Sequence, residues 1–91
     1  QMNNYVGYLY FEYLDKGNES LFIRSSTLRE PKEPFKIVSR IRTDNTGEWK
    51  SAKVELYKDN IVNGFNMPTF YLKGNVVVRN LSLGYTIYTV K

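Results

Sequence analysis

Between Phe35 and Lys58, two stretches of period-two character flank four residues that favour a turn, a pattern an α-helix cannot carry. In the first arm Phe35, Ile37 and Ile41 fall on one face, and Lys36, Arg40 and Arg42 on the other. In the second arm Ala52, Val54 and Leu56 share one side. Asp44-Asn45-Thr46-Gly47 lies between them, where Asx side chains bond nearby backbone and glycine accepts a positive φ. The simplest reading is a long β-hairpin. With Thr43 facing Glu48, Phe35 opposes Leu56, Ile37 opposes Val54 and Ser39 opposes Ala52. On the reverse face Lys36 then meets Glu55, and Arg42 lies over Trp49, the only tryptophan. A one-residue slip would set apolar side chains against charged ones, so the pattern specifies one register.

The rest of the chain reads the same way. Tyr5 to Leu14 is a nearly continuous run of aromatic and aliphatic β-formers, followed by the turn residues Asp15-Lys16-Gly17-Asn18. A three-residue loop with Gly17 in a left-handed bulge position pairs Phe11 with Leu21, Leu9 with Ile23 and Tyr10 with Phe22. Leu9, Phe11, Leu21 and Ile23 are then core, with Tyr8, Tyr10 and Phe22 on the opposite face. Ser25 to Pro34 breaks the pattern: Ser26 can cap a short helical turn, and Pro31 and Pro34 exclude a central strand. That segment is expected to cross between sheets.

Asn63-Gly64 marks a tight hairpin or a corner. Thr69 to Leu72 follows Pro68 and is expected at an edge or at a strand start. Val76 to Arg79 is apolar on both faces and reads as a central, doubly covered strand. Asn80 to Gly84 reads as a connection, and Tyr85 to Val90 as a last strand. About seven strands at roughly ten-residue spacing, with no amphipathic helix, predict a single all-β domain over 1–91. The expected architecture is a small antiparallel β-sandwich; a small β-barrel of OB- or SH3-like form is the alternative.

Composition narrows the chemistry. The chain has no cysteine and no histidine, which removes disulfides, thiolate metal sites, cysteine nucleophiles and the commonest general base. The carboxylates fall at turns and strand faces without an acid–base spacing, and no glycine-rich phosphate loop precedes a helix. Asp44 to Glu48 loosely resembles a calcium loop but lacks its twelve-residue pattern, so a plain turn is expected. No enzyme activity and no cofactor or metal is therefore expected. No apolar run reaches the ~20 residues of a membrane-spanning helix, and no signal-peptide pattern opens the chain. Gln1 ahead of Met2 reads as an added residue before the native initiator, which implies an intracellular, cytoplasmic protein. A mature exported protein cleaved before Gln1 is the other reading.

What remains is binding. The net charge is +4, and the excess lies after Glu48, where six basic residues accompany two acidic ones. A basic bias favours anionic partners. The reverse face of the Phe35–Lys58 stretch offers Lys36, Arg40, Arg42 and Lys53 to phosphates and Trp49 and Tyr57 for stacking. Interleaved cations and aromatics on a small β-fold suit single-stranded nucleic acid. A protein partner or homodimer using Val6, Tyr8, Tyr10 and Phe22 is a second expectation, and carbohydrate stacking on Trp49 a third. An ordinary solvated strand face would carry the same residues.

Overall fold

A computed structural model describes residues 2–26, 36–61 and 69–90. It contains six strands: β1 (Met2–Leu14), β2 (Ser20–Ser25), β3 (Lys36–Arg42), β4 (Trp49–Asn60), β5 (Phe70–Lys73) and β6 (Val78–Val90). They form two antiparallel three-stranded sheets, one ordered β4-β1-β6 and the other β3-β2-β5. The protein is a small all-β sandwich. Its core joins Leu9, Phe11, Val54 and Leu56 of the first sheet to Leu21 and Ile23 of the second. These are the residues that alternation assigns to the interior. Burying each side chain of this kind is worth roughly 1.5–3 kcal/mol, which is what holds the two sheets face to face.

The partners differ from the expected ones. The arms of the Phe35–Lys58 stretch are not a hairpin: β3 pairs with β2, and β4 pairs with β1. Ser39 lies opposite Ile23 and Ala52 opposite Phe11, so Ser39 and Ala52 do not face each other. The β1–β2 hairpin fails in the same way, because these strands lie in different sheets. Both turns are corners that carry the chain across the sandwich. In a two-layer fold a strand's apolar side faces the opposite sheet, so alternation reports that side and leaves the in-sheet neighbour undetermined.

Buried polar groups hold the two corners together. The Asp15 carboxylate is fully buried. It accepts from the Asp44 and Thr46 backbone N–H groups, from the Thr46 hydroxyl at 2.6 Å and from the Lys50 ammonium at 3.0 Å. The Thr46 hydroxyl bond comes first among the contacts that hold this carboxyl well below the usual carboxylate range, ahead of the Asp44 N–H and Lys50. Asn45 adopts a φ of 58° and accepts from the Gly17 N–H at 2.7 Å. Thr43, also buried, donates its hydroxyl to the Gly17 carbonyl and accepts from the Glu19 N–H, each at 2.7 Å. The Asp44–Gly47 segment is thus folded around a carboxylate of the other corner. Among the described residues no cluster of three metal-ligating side chains forms.

Bulges account for the remaining departures. Val38 is unpaired between Ser39 and Ile37, which turns Ile37 to the outer face, where it is 51% exposed; Ile41 stays packed on the core. Asn80, at φ 57°, and Leu81 together stand against Phe11. The expected connection at 80–84 is therefore a bulge inside one thirteen-residue strand, which gives six strands rather than seven. Val76–Arg79 is not a central strand, because β6 is an edge and Val77 is exposed. Phe70–Lys73 is an edge strand, as the preceding proline implies. Gly74 (φ 151°) allows close packing: a Cβ there would run into the Ser20 carbonyl. Phe35, the Pro31/Pro34 crossover, the Ser26-capped turn beyond Ser26, and Asn63-Gly64 lie outside the described residues. Among the described residues no helix is long and apolar enough to cross a membrane.

Candidate anion-binding face

The six residues expected on one basic and aromatic face are divided by the topology. Lys36, Arg40 and Arg42 belong to β3; Trp49, Lys53 and Tyr57 belong to β4, in the other sheet. Tyr57 is half-buried, its ring 6.2 Å from that of Tyr5, and its hydroxyl donates to Asp59 at 3.0 Å. Trp49 and Lys53 lie on the outer face of the first sheet. The Arg79 guanidinium stacks 3.7 Å from the Trp49 ring centroid and donates to Glu12 at 3.3 Å. The expected Arg42–Trp49 contact is thus replaced by Arg79–Trp49. The Asn80 amide, then Arg79, hold the Glu12 carboxyl below its ordinary range. Lys53 sits 4.2 Å from the Tyr8 centroid and 5.9 Å from that of Tyr10.

On this face cations of the chain already cover the rings. An incoming base or sugar would have to displace Arg79 to stack on that side of Trp49. Val6, Tyr8 and Tyr10 share this outer face, whereas Phe22 lies on the outside of the other sheet, so these four do not form one patch.

The outer face of the β3-β2-β5 sheet has a different electrostatic character. Arg40 lies opposite Phe22, and Arg42 opposite Ser20. On the other side of β2, Lys73 lies opposite Phe22 and Tyr71 opposite Arg24. One face therefore collects Arg24, Arg40, Arg42 and Lys73 around Phe22 and Tyr71. The three strands contain five basic residues and no carboxylate. Among the described residues none of these four cations has an acidic partner within 4.0 Å, whereas Lys50, Lys58 and Arg79 do. Arg40 is positioned over Phe22, 5.5 Å from the centroid, and donates to the Ser20 hydroxyl at 3.0 and 3.2 Å. The Nε of Arg24 is buried with no hydrogen-bond partner among the described residues.

The spacing is set by the pleat. Arg40 and Arg42 are two residues apart on one strand, roughly 6.8 Å, and the strands are about 4.8 Å apart. Four positive charges thus lie within a patch about 10 Å wide. Of the residues expected from the sequence, Arg40 and Arg42 belong to it, on the edge strand β3, and Lys36 is exposed at the end of that strand. The sequence does not single out Arg24, Tyr71 or Lys73, and it leads one to expect Phe22 on an apolar partner surface with Val6, Tyr8 and Tyr10. Alternation places Phe22 and Arg24 together away from the core, but joining them to β3 and β5 requires the strand order. No protein-family model matches the chain, and neither a curated protein nor a solved structure is significantly similar to it.

Proposed function

We propose that the chain is a non-enzymatic binding module that holds an anionic polymer, single-stranded nucleic acid, on the outer face of the β3-β2-β5 sheet. One observation carries this reading: four cations without acidic partners among the described residues surround two aromatic rings on a single rigid sheet. Arg40 and Arg42 can follow a phosphate backbone along β3, with Arg24 and Lys73 flanking it. Tyr71, 38% exposed, offers a ring for a base, and such stacking is worth about 1–3 kcal/mol per base. The unsatisfied Arg24 Nε would gain an acceptor from a bound phosphate, and a buried donor left unmade costs about 1–3 kcal/mol.

The test is fluorescence anisotropy with short labelled oligonucleotides over a salt series. Four phosphate contacts on a single strand give a log–log salt slope of about −2.8, or about a fifty-fold loss between roughly 50 and 200 mM salt. Arg42→Ala should make the slope shallower by about 0.7, and Tyr71→Ala should weaken binding at every salt concentration. Lys53→Ala, on the opposite sheet, should change neither. Absent binding at low salt, or equal sensitivity to Lys53→Ala and Arg42→Ala, refutes this assignment.

A further inference from the structure

We infer that β6 pairs edge to edge, antiparallel, with the β6 of a second copy of this chain. The inference uses a surface separate from the cationic face. The two edges of each sheet give four edge strands: β4, β6, β3 and β5. Exposed edges are ordinarily blunted by charge, proline or shortness. β4 carries Lys50, Lys53, Glu55, Lys58 and Asp59; β3 carries Lys36, Arg40 and Arg42; β5 has four residues and ends in Lys73. β6 has thirteen residues, and from Asn80 to Val90 it contains neither a charge nor a proline. Among the described residues no strand pairs with its far side. Among the described residues it is the one edge left open to pairing.

Its apolar side chains are also partly exposed. Leu83, Tyr85 and Ile87 lie opposite Leu9, Gly7 and Tyr5, on the face that carries the core, and Leu81 continues the alternation. Leu81 is 50% exposed, Leu83 48%, Tyr85 43% and Ile87 57%. The strands of the second sheet have four to seven residues against twelve or thirteen in the first, so among the described residues they reach only part of that face.

Three arguments make the occupant another copy. Antiparallel pairing about a twofold axis at Gly84 sets Leu83 opposite Tyr85 and Leu81 opposite Ile87, so each of these four apolar side chains meets an apolar one. The strip is neutral, so two copies meet without apposed like charges despite the net charge of +4, and an acidic partner finds no cation along it. The area fits a weak symmetric dimer. About half of four apolar side chains, of which only Tyr85 is aromatic, together with the backbone of one strand per copy, gives a total of roughly 1,000 Å² or less, the low end of specific interfaces. Interfaces of twice that size begin at micromolar affinity, so a Kd on the order of 10–100 µM is expected.

The test is sedimentation equilibrium from about 5 to about 500 µM, on either side of that constant, with hydrogen exchange measured over the same range. A monomer–dimer equilibrium is expected, with β6 amides exchanging more slowly as concentration rises and β4 amides unaffected. Leu83→Lys with Ile87→Lys should weaken the dimer at least about tenfold, because each lysine would then be buried against an apolar side chain across the axis with no acidic partner. Both sites are half-exposed, so its circular dichroism and melting temperature should stay those of the parent. A monomer at the highest concentration, concentration-dependent protection on β4, or a dimer that survives the double substitution overturns the inference. Should the variant fail to fold, the exchange comparison decides alone.

Discussion

Trp49 separates the corner from the hairpin energetically. In the structure its ring lies under Arg79, 3.7 Å from centroid to guanidinium carbon, and it has no place beside Arg42 on the opposite sheet. The side chain of Arg79 is 46% exposed, and Trp49 is 38% exposed. The contact is therefore partly solvated, between the exposed value of about 0.5–1 kcal/mol and the desolvated value of about 2. A coupling of about 1 kcal/mol is expected from a double-mutant cycle of Trp49→Leu and Arg79→Gln. Arg79→Gln also removes an ion pair to Glu12, but that loss occurs with either residue at 49 and cancels in the cycle. The companion cycle, Trp49→Leu with Arg42→Gln, should be additive within about 0.3–0.5 kcal/mol, as for groups that share no partner. Urea unfolding followed by far-ultraviolet circular dichroism reads both cycles without the indole, and unchanged m-values keep the comparison valid. In a domain of this size 1 kcal/mol corresponds to roughly 4–8 °C in melting temperature. An Arg42–Trp49 coupling equal to or larger than the Arg79–Trp49 coupling would return the two arms to one sheet and refute the corner.

The absence of cysteine makes strand pairing directly testable: Glu12→Cys with Ser51→Cys, opposite each other on β1 and β4, should oxidise to a disulfide. Ser39→Cys with Ala52→Cys, the pair a hairpin would juxtapose, should stay reduced on a non-reducing gel. The Asp15 carboxyl is held below its unfolded value of about 3.9, so its contribution is complete above that pH and is lost as pH falls below it. Melting temperature should therefore drop below about pH 4, and Asp15→Asn should be less stable at neutral pH with a flatter acid limb; an unchanged limb excludes this role. Lys50, raised by the same pair, has the opposite sign, its contribution being lost as pH rises above about 10.4. Leu9→Ala, at a fully buried site, should cost about 2–5 kcal/mol in urea unfolding. Leu81→Ala at low micromolar concentration should stay within about 0.5 kcal/mol, since half of that side chain is in water.

The sequence shows which way most side chains point and leaves open which strands are neighbours. Leu9, Phe11, Leu21, Ile23, Val54 and Leu56 are legible as interior because burial on one face imposes a period of two on any strand, in either sheet. Strand order depends on long-range contacts: the groups that wrap the Asp44–Gly47 loop around Asp15 are 29 and 31 residues away in sequence. Bulges change parity at one residue with little local mark, as at Val38, where Ile37 is turned outward. Only Asn80 carries a hint, since asparagine tolerates the left-handed region better than most residues.

The candidate site follows from that topology. In the hairpin reading Glu55 would sit opposite Lys36 and the Arg40/Arg42 face would be shared with the carboxylates of β4. Crossing at the corner places Glu55 and Asp59 in the other sheet and makes β2 the neighbour of β3. Arg24 and Lys73 then join Arg40 and Arg42, and the β3-β2-β5 sheet is left with five cations and no acid. The patch that most favours an anionic partner is thus a consequence of strand order. Its charge separates from that of the first sheet because Asp15 draws the Asp44–Gly47 loop out of a hairpin and into a crossing.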